Sequence, residues 1–182
     1  MIAAFYQSPI GWIEINGTTE AITVVRFVEQ VPVEREKTCL PPVIEQCISE
    51  LNEYFSGNRL SFTVPLSAQG TAFQQQVWEQ LCSIPFGETV SYRELARLLD
   101  RAQAVRAAGH ANGRNQLGIL VPCHRVIGSN GSLTGYAWGI WRKEWLLAHE
   151  RAVLQGADIT SLSASSHGVK PATAELPVLG NG

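Results

Sequence analysis

No stretch of this 182-residue chain approaches the ~18 uninterrupted apolar residues that a membrane-spanning helix needs. The amino-terminal MIAAFYQSPIG has neither the basic start nor the apolar run of a secretory signal. Cysteine is sparse: there are four, Cys39, Cys47, Cys82 and Cys123, with no CxxC and no paired Cys/His spacing. That speaks against a disulfide scaffold and against a zinc site. There is no Walker loop and no GxGxxG, so no nucleotide, metal or other cofactor is expected. Internal repeats are lacking as well. What is present, 45% apolar and 16% charged residues, suffices for one ordinary domain or two small ones. The expectation is a soluble, cytoplasmic globular protein without membrane contact.

The formal net charge of −2 conceals an asymmetry. Residues 1–70 carry four basic and eight acidic side chains, whereas residues 88–151 carry nine basic and five acidic. The basic excess is mostly arginine: Arg93, Arg97, Arg101, Arg106, Arg114, Arg125, Arg142 and Arg151, with the lone Lys143. The planar guanidinium can donate two hydrogen bonds to one phosphate. A basic half on an acidic chain suggests a local docking face for a polyanion, and a solvated surface is the plain alternative.

Ile2–Tyr6, Ile10–Ile15 and Ile22–Val28 read as strands, with Ser8-Pro9 and Asn16-Gly17 as turn signals. Val43–Phe55 carries Ile44, Cys47, Ile48, Leu51 and Phe55 at helical spacing, and Leu60–Leu66 is read as an edge strand limited by Pro65. Residues 1–67 are therefore expected to form a small α+β domain. Thr71 is placed to cap a helix bearing Phe73, Val77, Trp78 and Leu81, closed by Pro85 and Gly87. Ser91-Tyr-Arg-Glu94 matches a capping box opening a helix with Tyr92, Leu95 and Leu99 on one face and Arg93, Arg97 and Arg101 on another. An alanine-rich helix over Ala102–Asn112 follows, making a helix-turn-helix candidate. Ile119–Ile127 is apolar and strand-like around Pro122, Asn130-Gly131 is a turn, Gly135–Gly139 a loop, and Trp141–Arg151 a final helix. Residues 68–155 thus read as a second domain. From Gly156 onward, 14 of 27 residues are Ser, Gly, Ala or Pro and three are charged, the composition of a disordered tail over 156–182.

One constellation carries chemistry. Pro122-Cys-His-Arg125 sets a thiol, an imidazole and a guanidinium side by side. A thiol with a pKa near ~8.5 is mostly protonated at neutral pH, so a nucleophilic cysteine needs a base or cation nearby. His124 can serve, oriented by a carboxylate; a buried cysteine packing as a small hydrophobe is the alternative. Cys39, Cys47 and Cys82 and the remaining histidines, His110, His149 and His167, show no such company.

Several elements in order then carry a resemblance: Ile84-Pro-Phe-Gly-Glu88, Ser91-Tyr92, Arg106 followed by Gly109, Asn115, Pro-Cys-His-Arg-Val126, Gly135-Tyr136 and Arg142-Lys-Glu-Trp-Leu-Leu147 with Glu150. Over Thr71–Glu150 the chain resembles the O6-alkylguanine-DNA alkyltransferases, the methylated-DNA–protein-cysteine methyltransferases; the first domain is similar mainly in layout. The resemblance implies an α+β fold in which a small N-terminal antiparallel sheet domain with a helix precedes a mostly helical winged helix-turn-helix domain carrying the active-site cysteine. It implies Cys123 as alkyl acceptor, His124 as base acting through water, Glu150 as its orienting carboxylate, and Asn115 as the residue stabilising the turn into the active site. By the same similarity Tyr92 rotates a phosphate and protonates the departing guanine, and Arg106 fills the gap left in the base stack. Ser91, Tyr92, Arg93 and Ala107 join Arg106 in binding DNA. Val126, Tyr136, Ala137 and Trp138 line the substrate pocket with Cys123.

The implied function is direct-reversal repair: O6-alkylguanine, chiefly O6-methylguanine, leaves the duplex and gives its alkyl group to Cys123, once per molecule, in a monomer without cofactor. The chain departs from the family pattern at Gln116, where proline is common, at Ala137, where serine is common, and at Trp138, where many members carry glycine. The zinc-ligand positions known in some relatives are not Cys or His here. A winged-helix module that only binds DNA needs no Cys123, and a cysteine hydrolase needs no Arg106; these are the competing readings.

Overall fold

The computed structural model describes residues 2–31 and 39–157, together with Ile159 and Leu162. Three strands, β1 (Ile2–Ser8), β2 (Gly11–Gly17) and β3 (Ile22–Val28), form an antiparallel sheet in sequence order. A two-residue loop pairs Ser8 with Gly11, whose φ of +119° suits glycine. Alternation puts Ala4, Ile13, Ile15, Val25 and Phe27 in the core, and a register shift at Asn16/Gly17 brings Ile22 in with them. Helix α1 (Pro42–Phe55) covers that face with Val43, Ile44, Cys47, Leu51, Tyr54 and Phe55. Its proline sits in the first turn, where no amide donor is missed.

The expected edge strand over Leu60–Leu66 does not form. Only an isolated parallel bridge joins Leu66 to Ile22, through Ile22 N donating to Pro65 O at 2.8 Å and Ser67 N donating to Ile22 O at 2.8 Å. A side chain replaces the ladder: buried Glu50 accepts from Thr63 N at 2.9 Å, Val64 N at 3.2 Å and Thr63 Oγ1 at 2.5 Å. Backbone donors satisfied this way need no strand partner.

The second half is mostly helical. Helix α2 (Ala72–Cys82) opens on a capping box of Thr71 and Gln74. Strand β4 (Val90–Ser91) leads into α3 (Tyr92–Leu98), whose Ser91/Glu94 capping box forms as the sequence implies. Helix α4 (Val105–Gly113) follows, three residues shorter at its start than expected. Residues 102–104 make a turn instead, closed by Ala104 N donating to Arg101 O at 2.7 Å, after Asp100 at φ +55°. Leu95 and Ala96 of α3 and Ala108 and Ala111 of α4 are buried, and Trp78 Nε1 donates to Ala111 O at 3.0 Å.

The strand expected over Ile119–Ile127 is the main correction. The apolar run is buried, but only β5 (Val126–Ile127) is extended, pairing in parallel with β4. Upstream the chain folds on itself: Ile119 has φ +70°, Val121 N donates to Leu117 O and Cys123 N to Val121 O, each at 2.8 Å. Cys123–Arg125 form a short 3-10 helix. The turn hangs on the N-terminal sheet, since Val25 N donates to Gln116 O and Gly118 N to Val25 O, both at 2.8 Å. Helix α5 (Ile140–Leu154) closes the fold, an α+β architecture of sheet and helix followed by a largely helical unit. No described helix is long and apolar enough to cross a membrane. Most of the tail expected to be disordered, 156–182, lies outside the described residues.

Candidate active site

Asn115 organises the turn. Its Nδ2 donates to Val121 O at 2.9 Å, and its Oδ1 accepts from Leu117 N at 2.9 Å. The loop that delivers Cys123 is thereby held by this side chain together with its two backbone bonds to Val25. Cys123 itself is 3% exposed. Burial pushes its thiol up to about 11, opposed by a hydrogen bond from Asn115, the Lys143 ammonium and the amides of Cys123 and His124. Those groups are already arranged to receive sulfur's negative charge, while burial keeps the resting group a thiol.

His124 follows in the 3-10 helix, where successive side chains diverge by about 120° around the axis instead of alternating across a strand. Its Nε2 lies 2.7 Å from Glu150 Oε1, and both side chains are fully buried. Its Nδ1 has no hydrogen-bond partner in the protein, so the ring is oriented from one side and free to take a proton on the other. Burial lowers the basicity of His124, and the Glu150 carboxylate opposes that effect.

Glu150 is surrounded by donors. Oε1 also accepts from Tyr54 OH at 2.9 Å and Arg125 Nη2 at 2.9 Å; Oε2 accepts from Gly87 N at 2.8 Å and Arg125 Nε at 3.0 Å. Burial alone would raise this carboxyl, but His124 and Arg125 hold it far below the ordinary range. It is an ion at every working pH.

Three cations assigned to a docking face are in fact buried. Arg125 pairs with Glu150, donates to Ile84 O at 2.7 Å and covers the Phe86 ring. Arg142 donates to Ile10 O at 3.0 Å and Trp138 O at 2.7 Å, and lies over Phe27 and Trp141. Lys143 Nζ donates to Val126 O at 2.5 Å and Thr134 O at 2.7 Å, with burial lowering its pKa to about 8. Each has carbonyl partners that only folding brings near. Arg93, Arg97, Arg101, Arg106, Arg114 and Arg151 remain exposed, Arg101 over the Phe73 ring.

The other expected residues fall around this centre unevenly. Tyr92, half-buried at the start of α3, donates from its hydroxyl to Thr134 O at 3.2 Å and lies close enough to Cys123 to feel its charge. Gly109 of α4 faces the Tyr92 ring, where a Cβ would sit 3.5 Å away. Ser91 caps α3, while Arg93, Arg106 and Ala107 are exposed on α3 and α4. Val126 and Tyr136 are buried, and Tyr136 OH has no partner in the protein. Ala137 is exposed. Trp138 packs edge-on against Phe27 and Tyr136 at centroid distances of 6.1 and 5.2 Å. Its ring lies over Gly118, where a Cβ would come within 2.8 Å.

Sequence reading missed Tyr54, Gly87 and Lys143. Tyr54 sits three residues after Leu51 on the buried face of α1, and a phenol at a core position usually takes a polar partner. That was the available signal. Among the described residues no cluster of His, Cys, Asp and Glu could hold a metal ion.

Both halves of the chain are similar to known proteins. Residues 1–68 match the family profile "6-O-methylguanine DNA methyltransferase, ribonuclease-like domain", and residues 72–152 match "6-O-methylguanine DNA methyltransferase, DNA binding domain". A methylated-DNA–protein-cysteine methyltransferase of Mycobacterium tuberculosis is 45% identical over 148 residues, 80% of this chain and 90% of that protein. One of Methanosarcina acetivorans is 44% identical over 158 residues, 82% of this chain and 98% of the other. The crystal structure of Mycobacterium tuberculosis OGT in complex with DNA superposes with a TM-score of 0.74 at 44% identity, covering 82% of this chain and 92% of that one. The chain belongs to the 6-O-methylguanine DNA methyltransferase family.

Proposed function

We propose that this protein repairs alkylated DNA by direct reversal: it takes O6-alkylguanine, chiefly O6-methylguanine, out of the duplex and moves the alkyl group irreversibly to Cys123. The observation that carries the reading is the buried Cys123 beside a histidine fixed by Glu150 through Nε2 and open at Nδ1. His124 takes the thiol proton at Nδ1 through a water, and Glu150 stabilises the imidazolium that results. The sulfur attacks the O6-alkyl carbon in line, the carbon–sulfur bond forms as the carbon–oxygen bond breaks, and the electron pair goes to O6. The guanine anion then takes a proton from Tyr92. A buried thiol of high pKa is a stronger nucleophile once ionised and is shielded from adventitious electrophiles until then.

The product is a thioether, whose alkyl carbon is a poor electrophile, so each molecule acts once. An alkylated base inside a duplex is out of reach of a buried sulfur, which requires extrusion of the nucleotide. Exposed Arg106 at the first turn of α4 fills the gap, with Ser91, Tyr92, Arg93 and Ala107 on the same helix pair against the backbone. Val126, Tyr136, Ala137 and Trp138 complete the pocket. The protein acts as a cytoplasmic monomer on double-stranded DNA. A module that merely binds DNA has no use for the His124–Glu150 pair behind Cys123. Cys123→Ser tests the proposal: duplex binding is retained and methyl transfer lost, because a hydroxyl is a far poorer nucleophile than a thiolate. Transfer surviving in that variant removes Cys123 as acceptor.

A further inference from the structure

The carboxylate that steers the histidine is held from both halves of the chain. Arg125 and His124 come from the 3-10 helix and Gly87 from the loop after α2, but the fourth donor residue, Tyr54, belongs to α1, which packs on the N-terminal sheet. Tyr54 is fully buried and rigidly placed. Its ring packs against Phe62, Phe86 and His149 at 5.5, 5.9 and 5.3 Å, and its carbonyl accepts from His149 Nε2 at 2.8 Å. Among the described residues its hydroxyl bonds to Glu150 Oε1 alone.

We infer that Tyr54 is a positioning residue of the alkyl-transfer site: its hydroxyl shares Glu150 Oε1 with His124 and so sets how strongly the carboxylate draws a proton onto the imidazole. The inference rests on the function proposed above. A carboxylate offers about four lone-pair sites, and Glu150 meets five donor atoms: Tyr54 OH, His124 Nε2, Arg125 Nη2 and, at 3.3 Å, Arg125 Nε reach Oε1, while Gly87 N and the same Arg125 Nε reach Oε2. Donors on one oxygen compete for its charge, so the phenol weakens the bond that stabilises imidazolium. Burial and the neighbouring carboxylate keep the phenol protonated well above its ordinary range, so it donates at every pH at which the site works. Other groups also bear on His124: Arg125 beside it, and Lys143 and His149 from α5, with Cys123 and Tyr136 close to the same centre. None of them donates to Oε1 except Arg125, the ion-pair partner of Glu150.

Single-turnover methyl transfer from O6-methylguanine in duplex DNA, followed across pH, provides the test. The acid limb of the rate reports the proton that His124 must lose. Tyr54→Phe keeps the ring and removes the competing donor, so the limb moves to higher pH by about half to one unit. Site-specific 3-fluorotyrosine at position 54 keeps both ring and hydroxyl but donates more strongly, so the limb moves to lower pH. Opposite displacements establish the role. A purely structural phenol lowers the rate equally at all pH, and an unmoved limb in the fluorotyrosine protein overturns the inference even where Tyr54→Phe fails to fold. Wild-type protein that transfers no methyl group overturns the functional reading and this inference together; wild-type transfer with unmoved limbs in the altered proteins overturns the inference alone.

Discussion

Replacing Glu150 by glutamine removes one charge and keeps the shape, and the geometry makes that costly. Wherever the amide nitrogen settles it faces donors: Tyr54 OH, His124 Nε2 and Arg125 Nη2 at the Oε1 position, or Gly87 N and Arg125 Nε at the Oε2 position. Arg125, with a side chain 8% exposed, loses its counter-ion. Breaking a buried ion pair by removing one partner costs about 3–5 kcal/mol. In a chain of this size each kcal/mol moves Tm by about 2–4 °C, so Glu150→Gln is expected to melt about 6–20 °C lower. The deficit depends on pH in a definite direction. The Glu150 carboxyl lies below its unfolded value, so its stabilising contribution is complete above about pH 4.3 and fades as acid protonates it. The gap between the two proteins therefore narrows toward low pH. Methyl transfer at neutral pH falls about 100-fold, the scale of a lost general base. It recovers as alkali approaches the thiol's own ionisation, near the value of about 11 to which burial has pushed it. Circular dichroism melts and single-turnover transfer read the two effects. A melting point within about 2 °C of wild type, or an identical pH profile, refutes the reasoning.

Other perturbations separate DNA handling from chemistry. Arg106→Ala is expected to slow repair of duplex DNA about tenfold or more, since holding open an unstacked site is worth a few kcal/mol; its rate with free O6-methylguanine should stay near wild type. Equal losses on both substrates would assign Arg106 to the fold. Neutralising Arg93 and Arg97, both exposed on α3, should flatten the salt dependence of duplex binding by roughly one unit each if they contact phosphate; an unchanged slope leaves them as solvated surface. Trp138→Gly removes an indole packed on Phe27 and Tyr136, so Tm drops, and the rate with free O6-benzylguanine rises relative to O6-methylguanine by about tenfold or more as overpacking is relieved. A lower Tm with an unchanged ratio makes Trp138 a packing residue alone.

What was readable in the sequence was local. Strand β3 occupies Ile22–Val28 as its β-branched residues indicate, and the Thr71 cap and the Ser91/Glu94 capping box form, because each is decided within four residues. The failures share one cause. Ile119–Val121 looks like a strand because a short buried apolar run reads the same in a strand and in a turn. Only the Asn115 bonds and the attachment to Val25 decide between them, and the second crosses about ninety residues of chain. The burial of Arg125, Arg142 and Lys143 is hidden in a charge count because their partners, among them Ile10 O and Glu150, are remote in sequence. Cys123, His124 and Glu150 stood out through the family motifs, whereas Tyr54, 96 positions from Glu150, is visible only once the sheet and α5 are packed together.

The central claim is covalent, so the most direct measurement is mass spectrometry of the protein after incubation with excess duplex carrying O6-methylguanine. The peptide containing Cys123 is expected to gain one methylene, with unmodified Cys39, Cys47 and Cys82. Transfer should stop at one methyl group per molecule, and the DNA should return with normal guanine. Methylation at another residue, continued turnover past one equivalent, or no mass gain while duplex is bound would contradict the account.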